Sequence, residues 1–161
     1  MLLVLILIPA CGSTVRSYKV PAFDSGSASR TLEVRVMTTA GAVSIQRSRM
    51  GEAVSSTQVM TGQDQALLAA QDVAFELGSM GFAVVEAPGQ ADLFADFSIG
   101  TVRFDPLAGW IADRAFLEFK NARTAEVLAS YRSEVRWVTP TVENLVSNII
   151  DRVREDVGSL K

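Results

Sequence analysis

The chain carries one cysteine, Cys11, and no histidine. Histidine is the commonest general base near neutral pH and the commonest transition-metal ligand. Without it, a serine or cysteine nucleophile has no activating base of the usual kind. A single cysteine also rules out an internal disulfide. Carboxylates remain. Asp92, Asp96 and Asp105 lie near one stretch, and residues four apart on an extended strand share a face. Two carboxylates at that spacing are expected as solvated surface rather than as a metal site or an acid/base pair. Arg132 and Arg136, with Glu126 and Glu134, read as charge pairs across neighbouring strands on an exposed face. Gly100 and Gly109 stand alone, so no phosphate-cradling loop is present. The expectation is no catalytic residue, no metal and no cofactor: not an enzyme.

One stretch is apolar where a loop is expected. Leu107-Ala108-Gly109-Trp110-Ile111 sits between two strand patterns. Trp110 either folds back over the core or meets a partner or a membrane interface, where an aromatic ring with one polar end is favoured. Leu107, Trp110 and Ile111 are therefore the candidate contact residues.

Cys11 ends the other informative stretch. Leu2 to Ala10 is an apolar run, far shorter than the roughly 20 residues of a spanning helix. It falls within the ~7–15-residue apolar region of a signal peptide, with a small residue at the cut site. Leu7-Ile8-Pro9-Ala10-Cys11 resembles the lipobox of bacterial lipoprotein signal peptides. That resemblance implies cleavage before Cys11, lipidation of its thiol and anchoring in a bilayer. Two or more acyl chains give durable attachment, at about 0.8 kcal/mol per buried methylene. Gly12 in the next position favours the outer membrane over inner-membrane retention. The alternative is an N-terminal apolar strand or helix with an incidental cysteine.

The 161 residues fit one ordinary domain. The net charge of −3 and pI near 5.0 argue against nucleic acid and against a polybasic grip on anionic lipid. Residues 1–10 are expected as signal peptide, 11–30 as a lipidated, Ser/Gly-rich flexible tether, and 31–161 as one α+β domain. Tyr18, Val20 and Phe23 are the tether residues placed to touch that domain or a neighbouring subunit.

Thr31 to Thr38 alternates as a half-buried strand, and Ala42 to Arg47 follows as a second short one. Residues 48–61 read as a loop, with Ser56 to Met60 as a possible further strand. A helix spans Thr61 to Met80, with Ala66, Ala70, Val73, Leu77 and Met80 on its apolar stripe. Thr61 or Gly62 caps its start and Gly81 its end. Phe82 to Glu86 is a strand. Ala91 to Phe104 is a long strand with a bend at Gly100. Residues 105–113 are a loop, and Arg114 to Lys120 and Glu126 to Val138 form a hairpin. A second helix starts at Thr139-Pro140 and stops at Gly158, with Val142, Leu145, Val146, Ile149, Ile150, Val153 and Val157 as its stripe. Adjacent strands imply antiparallel pairing. The expected architecture is an α+β two-layer sandwich, a mainly antiparallel sheet with two amphipathic helices on one face.

Three segments look familiar together: Leu77-Gly78-Ser79-Met80-Gly81-Phe82 leading to Ala91-Asp92, the hairpin turn at Asn121-Ala122-Arg123-Thr124, and the C-terminal amphipathic helix. Over about residues 31 to 157 the chain resembles small Gram-negative outer-membrane lipoproteins. Their α/β core is shared with the amino-terminal domain of TolB, the curli secretion lipoprotein CsgG and PelC of an exopolysaccharide export system. The resemblance implies a non-enzymatic, membrane-anchored periplasmic lipoprotein, an accessory or assembly subunit of envelope transport or export. Its implied partners are the lipid bilayer through acylated Cys11, and copies of itself or an envelope complex. The alternative class is a periplasmic ligand- or lipid-binding domain, using a sheet face that the helices leave uncovered.

Overall fold

The computed structural model describes residues 14–20, 23, 30–38, 41–44, 61–85, 89–135 and 139–158. Cys11 and the run before it, the expected strand at Ser56 to Met60, and Arg136 to Val138 lie outside the described residues.

Helix α1 (Gly62–Ser79) is fixed by local chemistry at both ends. The Thr61 side chain accepts from the Asp64 N–H, and the Asp64 carboxylate accepts from the Thr61 N–H at 2.7 Å. This capping box satisfies two orphan groups of the first turn. The bonds from Thr61 hold the Asp64 carboxyl below its ordinary value. At the other end Gly81 takes φ +104° and the Phe82 N–H reaches back to the Leu77 carbonyl at 3.2 Å. Only glycine adopts that φ without penalty.

Helix α2 (Val142–Gly158) buries all seven residues of its predicted stripe. Its start differs from the sequence expectation. Thr141, not Thr139, is the cap: its hydroxyl oxygen accepts from the Asn144 N–H at 3.2 Å. The reason lies just upstream. The Pro140 carbonyl accepts from the Ala112 N–H at 3.1 Å, and Thr141 bridges to Ile111. That segment is already paired, so the helix begins beyond it.

The main sheet runs in the order β1 (Thr14–Lys19), β9 (Val127–Glu134), β8 (Arg114–Asn121), β5 (Leu93–Ile99), β2 (Thr31–Thr38) and β3 (Gly41–Ser44), with β4 (Ala83–Val84) also paired to β2. Most pairs are antiparallel, as expected. β2 is the exception, running parallel to both β4 and β5. A parallel pair needs a long crossover, and α1 lies within the one that leads from β2 to these strands.

Three sequence expectations are corrected here. The 11–30 tether contains β1, which pairs with β9 along its whole length. Its Val15, Ser17 and Lys19 lack a continuous apolar period because it is an edge strand with a distant partner. The long strand over 91–104 is two strands in different sheets: β5 ends at Ile99, and β6 (Val102–Asp105) pairs with β7 (Gly109–Ala112). Of the strand expected over 82–86, the described residues form only β4, and Phe82 turns inward to the core.

Alternate residues of the sheet (Leu32, Val34, Leu93, Ala95, Phe97, Leu117, Phe119) share one buried cluster with both helix stripes. Each fully buried Leu, Val or Phe contributes about 1.5–3 kcal/mol. Phe119 is its hub, with Phe23 at 4.7 Å, Phe82 at 5.7 Å and Tyr131 at 6.1 Å between ring centroids. Phe23, from the expected tether, is thus part of the core.

One polar cluster enters this interior. The Tyr131 hydroxyl donates to the Asp156 carboxylate at 3.1 Å, and Lys19 and Arg152 each approach its other oxygen at 3.5 Å. Burial and the Asp156 charge push the Tyr131 phenol well above its ordinary range. Tyr131→Phe removes the one donor that reaches Asp156 from the sheet interior. The expected loss is on the order of 1–3 kcal/mol, read from urea unfolding with an unchanged slope.

Candidate functional site

The registers place several chain positions at one end of the main sheet. Thr14 pairs with Glu134, Glu134 with Arg114, and Ile99 with Ala115. The first residue of β1 therefore lies at the end where β5 stops and β8 begins. The β6–β7 hairpin is inserted between those two strands and leaves from that same end. Gly100 makes the exit, its N–H donating to the Arg114 carbonyl at 2.9 Å.

Side chains build the hairpin. Asp105 closes its turn by accepting from the N–H groups of Leu107 at 2.9 Å and Ala108 at 3.0 Å. These two bonds hold the Asp105 carboxyl below its ordinary value. Gly109 at φ +81° completes the reversal. Phe104 and Trp110 meet edge to face at 5.4 Å.

The three sequence-predicted contact residues separate. Leu107 stands at the tip, 99% exposed. Trp110 is half-buried, packed on the core on one side and facing a groove on the other. Ile111 is only 3% exposed and bridges to Thr141. It holds the hairpin to the body and is not a contact residue. Phe104, 61% exposed beside Trp110, was missed. Its signal was the pairing of Val102 and Phe104 with Trp110 and Ala112 around Pro106 and Gly109, the pattern of a hairpin rather than a loop.

The groove of about 850 Å³ runs between α1, α2 and the hairpin. Leu68, Ala69, Trp110, Val146 and Ile150 give it an apolar surface, and Asp72, Glu76, Glu143 and Asp151 line it with carboxylates. Arg154 bridges it, binding Glu76 at 3.0 Å and Asp151 at 2.9 Å. Asp72 has no ion-pair partner among the described residues, and loss of solvent, then the nearby Glu143 and Glu76, push its carboxyl above the ordinary 3.8.

The sheet face away from the helices is not an apolar pocket. Asp96 was expected as solvated surface; it is 3% exposed. Arg35 binds it at 2.6 Å and Lys120 at 3.0 Å, while the Arg35 guanidinium lies 3.7 Å over the Phe94 ring. Long cationic side chains from both neighbouring strands fold over the carboxylate and exclude water. Burial opposes the charge on Lys120, but the hydrogen bonds it donates to Glu118 and Asp96 hold its ammonium above the ordinary value. Asp92 is separate and exposed, bonded to Thr31 at 2.8 Å. Glu134 does pair across strands, with Arg16 at 3.7 Å, and along its own strand with Arg132 at 2.6 Å. Arg136 lies outside the described residues. Among the described residues no group of three or more His, Cys, Asp or Glu side chains could hold a metal ion, and no helix is long and apolar enough to cross a membrane.

Two outcomes are expected. Ile111→Ala should cost about 2–5 kcal/mol in unfolding free energy, the range for deleting a buried aliphatic side chain, whereas Leu107→Ser should lie within about 0.5 kcal/mol of the parent. Equal losses would mean that the tip packs on the body. The folded state holds the Asp72 proton more tightly than the unfolded chain, so this group's contribution to stability is lost as pH rises through its raised folded-state value. Asp72→Asn should therefore melt higher than the parent at pH 7, and the advantage should vanish near pH 3.

No protein-family model and no curated protein matches the chain. Solved structures do. A PelC dodecamer variant from Paraburkholderia phytofirmans aligns with a TM-score of 0.54 at 17% identity, covering 90% of this chain and 96% of that one. The PelC dodecamer in another crystal form gives 0.52 at 16%, with the same coverage. A DUF4136 family protein from Bacteroides thetaiotaomicron gives 0.48 at 8%, covering 89% and 93%. At these identities the likeness is one of fold: the chain has a PelC-like core, a mainly antiparallel sheet with two helices.

Proposed function

We propose that this chain is a lipid-anchored, periplasm-facing outer-membrane protein. It acts as a non-enzymatic accessory or assembly subunit of an envelope transport or export system and works as a homo-oligomer. In this reading the α+β core is a two-layer sandwich with both helices on one face. The observation that carries the reading is the shared end of the sheet. Thr14 opens β1 three residues after Cys11, a span of about 10 Å when fully extended. The hairpin bearing Leu107, Phe104 and Trp110 leaves from that same end. A lipid on Cys11 would hold this end close to the bilayer and offer the hairpin tip a second, apolar contact. The dodecamers formed by PelC support the oligomeric part by likeness of fold.

Against the ligand-binding alternative stands the charged Arg35–Asp96–Lys120 cluster on the open sheet face. That alternative would use the carboxylate-lined groove instead.

Cys11→Ser should move the protein from the membrane to the soluble fraction and abolish acyl labelling. In a Trp137→Phe background, bilayer lipids brominated below the headgroup should quench Trp110. Leu107→Ser should weaken that quenching without releasing the anchored protein. Absence of acyl label on the parent would remove the anchor. Unquenched Trp110 would remove the second contact and leave the hairpin facing a protein.

A further inference from the structure

The helix layer and the β1 edge strand carry opposite charge. The helices hold seven carboxylates against two arginines, Arg152 and Arg154. Strand β1 has Arg16 and Lys19 and no acid. It is also a sheet edge: β9 occupies one side, and its other side is unpaired among the described residues. Arg16 and Tyr18 lie on that edge strand, on the sheet face away from the helices, with the Arg16 side chain 61% exposed and Tyr18 59% exposed. Arg16 has one distant carboxylate contact, Glu134 at 3.7 Å, and Lys19 is turned toward Asp156.

The groove is the complement of this edge. Its Asp72 and Glu143 lack ion-pair partners among the described residues, and Leu68, 42% exposed, lies beside Trp110 in its wall. A ligand that fits it carries a cation next to an aromatic or aliphatic surface.

Height favours the match. A strand rises ~3.3 Å per residue, which puts Arg16 and Tyr18 roughly 7 and 13 Å from Thr14. Both helices start at the same end of the sheet: Gly62 lies against Val102, and Thr141 bridges to Ile111. At 1.5 Å per residue, Glu143 lies within the first turn and Asp72 roughly 15 Å along α1. Copies hung from one bilayer by the same short leash would present edge and groove at one level.

We propose that the groove between α1 and α2 receives the β1 edge of a second copy of this chain, with Arg16 entering between Asp72 and Glu143 and Tyr18 lying on Leu68. The contact is heterologous, one surface meeting a different one, so it propagates around a ring or along a row. Anchoring raises the effective concentration at which it forms. This rests on the anchored, oligomeric reading above and assigns the surfaces.

The test uses the full lipidated chain in detergent, followed by sedimentation velocity and native mass spectrometry, with circular dichroism to verify folding. Arg16→Asp and Asp72→Arg should each raise the protein concentration needed for assembly at least about ten-fold. The two together should restore it. A parent that is monomeric at every concentration overturns the oligomeric reading and this interface with it. A parent that assembles, with both single variants unaffected, overturns only the assignment of surfaces. Loss in both singles without recovery in the double shows that edge and groove do not meet each other, and overturns the pairing.

Discussion

Asp156 is the charge that the rest of the arrangement must satisfy. It sits in the last turn of α2, where the helix dipole is negative and a carboxylate is unfavourable. It is buried as well, and a buried charge is tolerated only when it is paired and hydrogen-bonded. Its three partners come from three places: Tyr131 on β9, Lys19 on β1, and Arg152 one turn back on α2. Arg152 also donates to the Ser17 hydroxyl at 3.2 Å. The amino-terminal strand, the last strand and the last helix are thereby tied at one point. Fixing α2 fixes one wall of the groove. Fixing β1 sets where the chain leaves the domain toward Cys11.

What was legible in the sequence was what is decided locally. Thr61, Asp64 and Gly81 mark the ends of α1 through contacts a few residues apart. The stripe from Val142 to Val157 marks the buried face of α2 without help from the rest of the fold. Asn121 and the turn it organises, accepting from the N–H groups of Arg123 and Thr124, were equally plain. What was illegible depends on distant partners. Strand β1 has the composition of a linker and becomes a strand because β9 is there to receive it. Asp96 reads as surface until Arg35 and Lys120 arrive from neighbouring strands. The hairpin was hidden by its own apolarity, since Leu107 and Trp110 obscured the simpler signal of Asp105-Pro106 and Gly109 between two alternating pairs. At the candidate site, the exposed tip residue was readable, but the carboxylate-lined groove was not. Its acids come from two helices more than sixty residues apart in sequence, and only packing assembles them.

The surfaces divide the work. The sheet face turned away from the helices is closed chemically: its carboxylate already holds two cations, and its Phe94 ring is covered by a guanidinium. The helix face is open, with carboxylates in excess and an apolar surface between them. The hairpin tip is apolar and exposed, while Ile111 holds the base of the hairpin to the body. Open surface is therefore left on the helix side and at the end of the sheet that carries the hairpin, and a substitution in the Arg35–Asp96–Lys120 cluster acts first on stability.

The pairing of β1 also orders events in time. Tyr18 lies opposite Ser130, so the first strand finds its place only when more than a hundred further residues are available. Contacts of such long sequence separation form slowly. A chain delivered amino end first cannot seal its sheet, or satisfy Asp156, until almost all of it has emerged. Topology alone thus sets closure of the amino-terminal edge of the sheet after the last strand and helix are free.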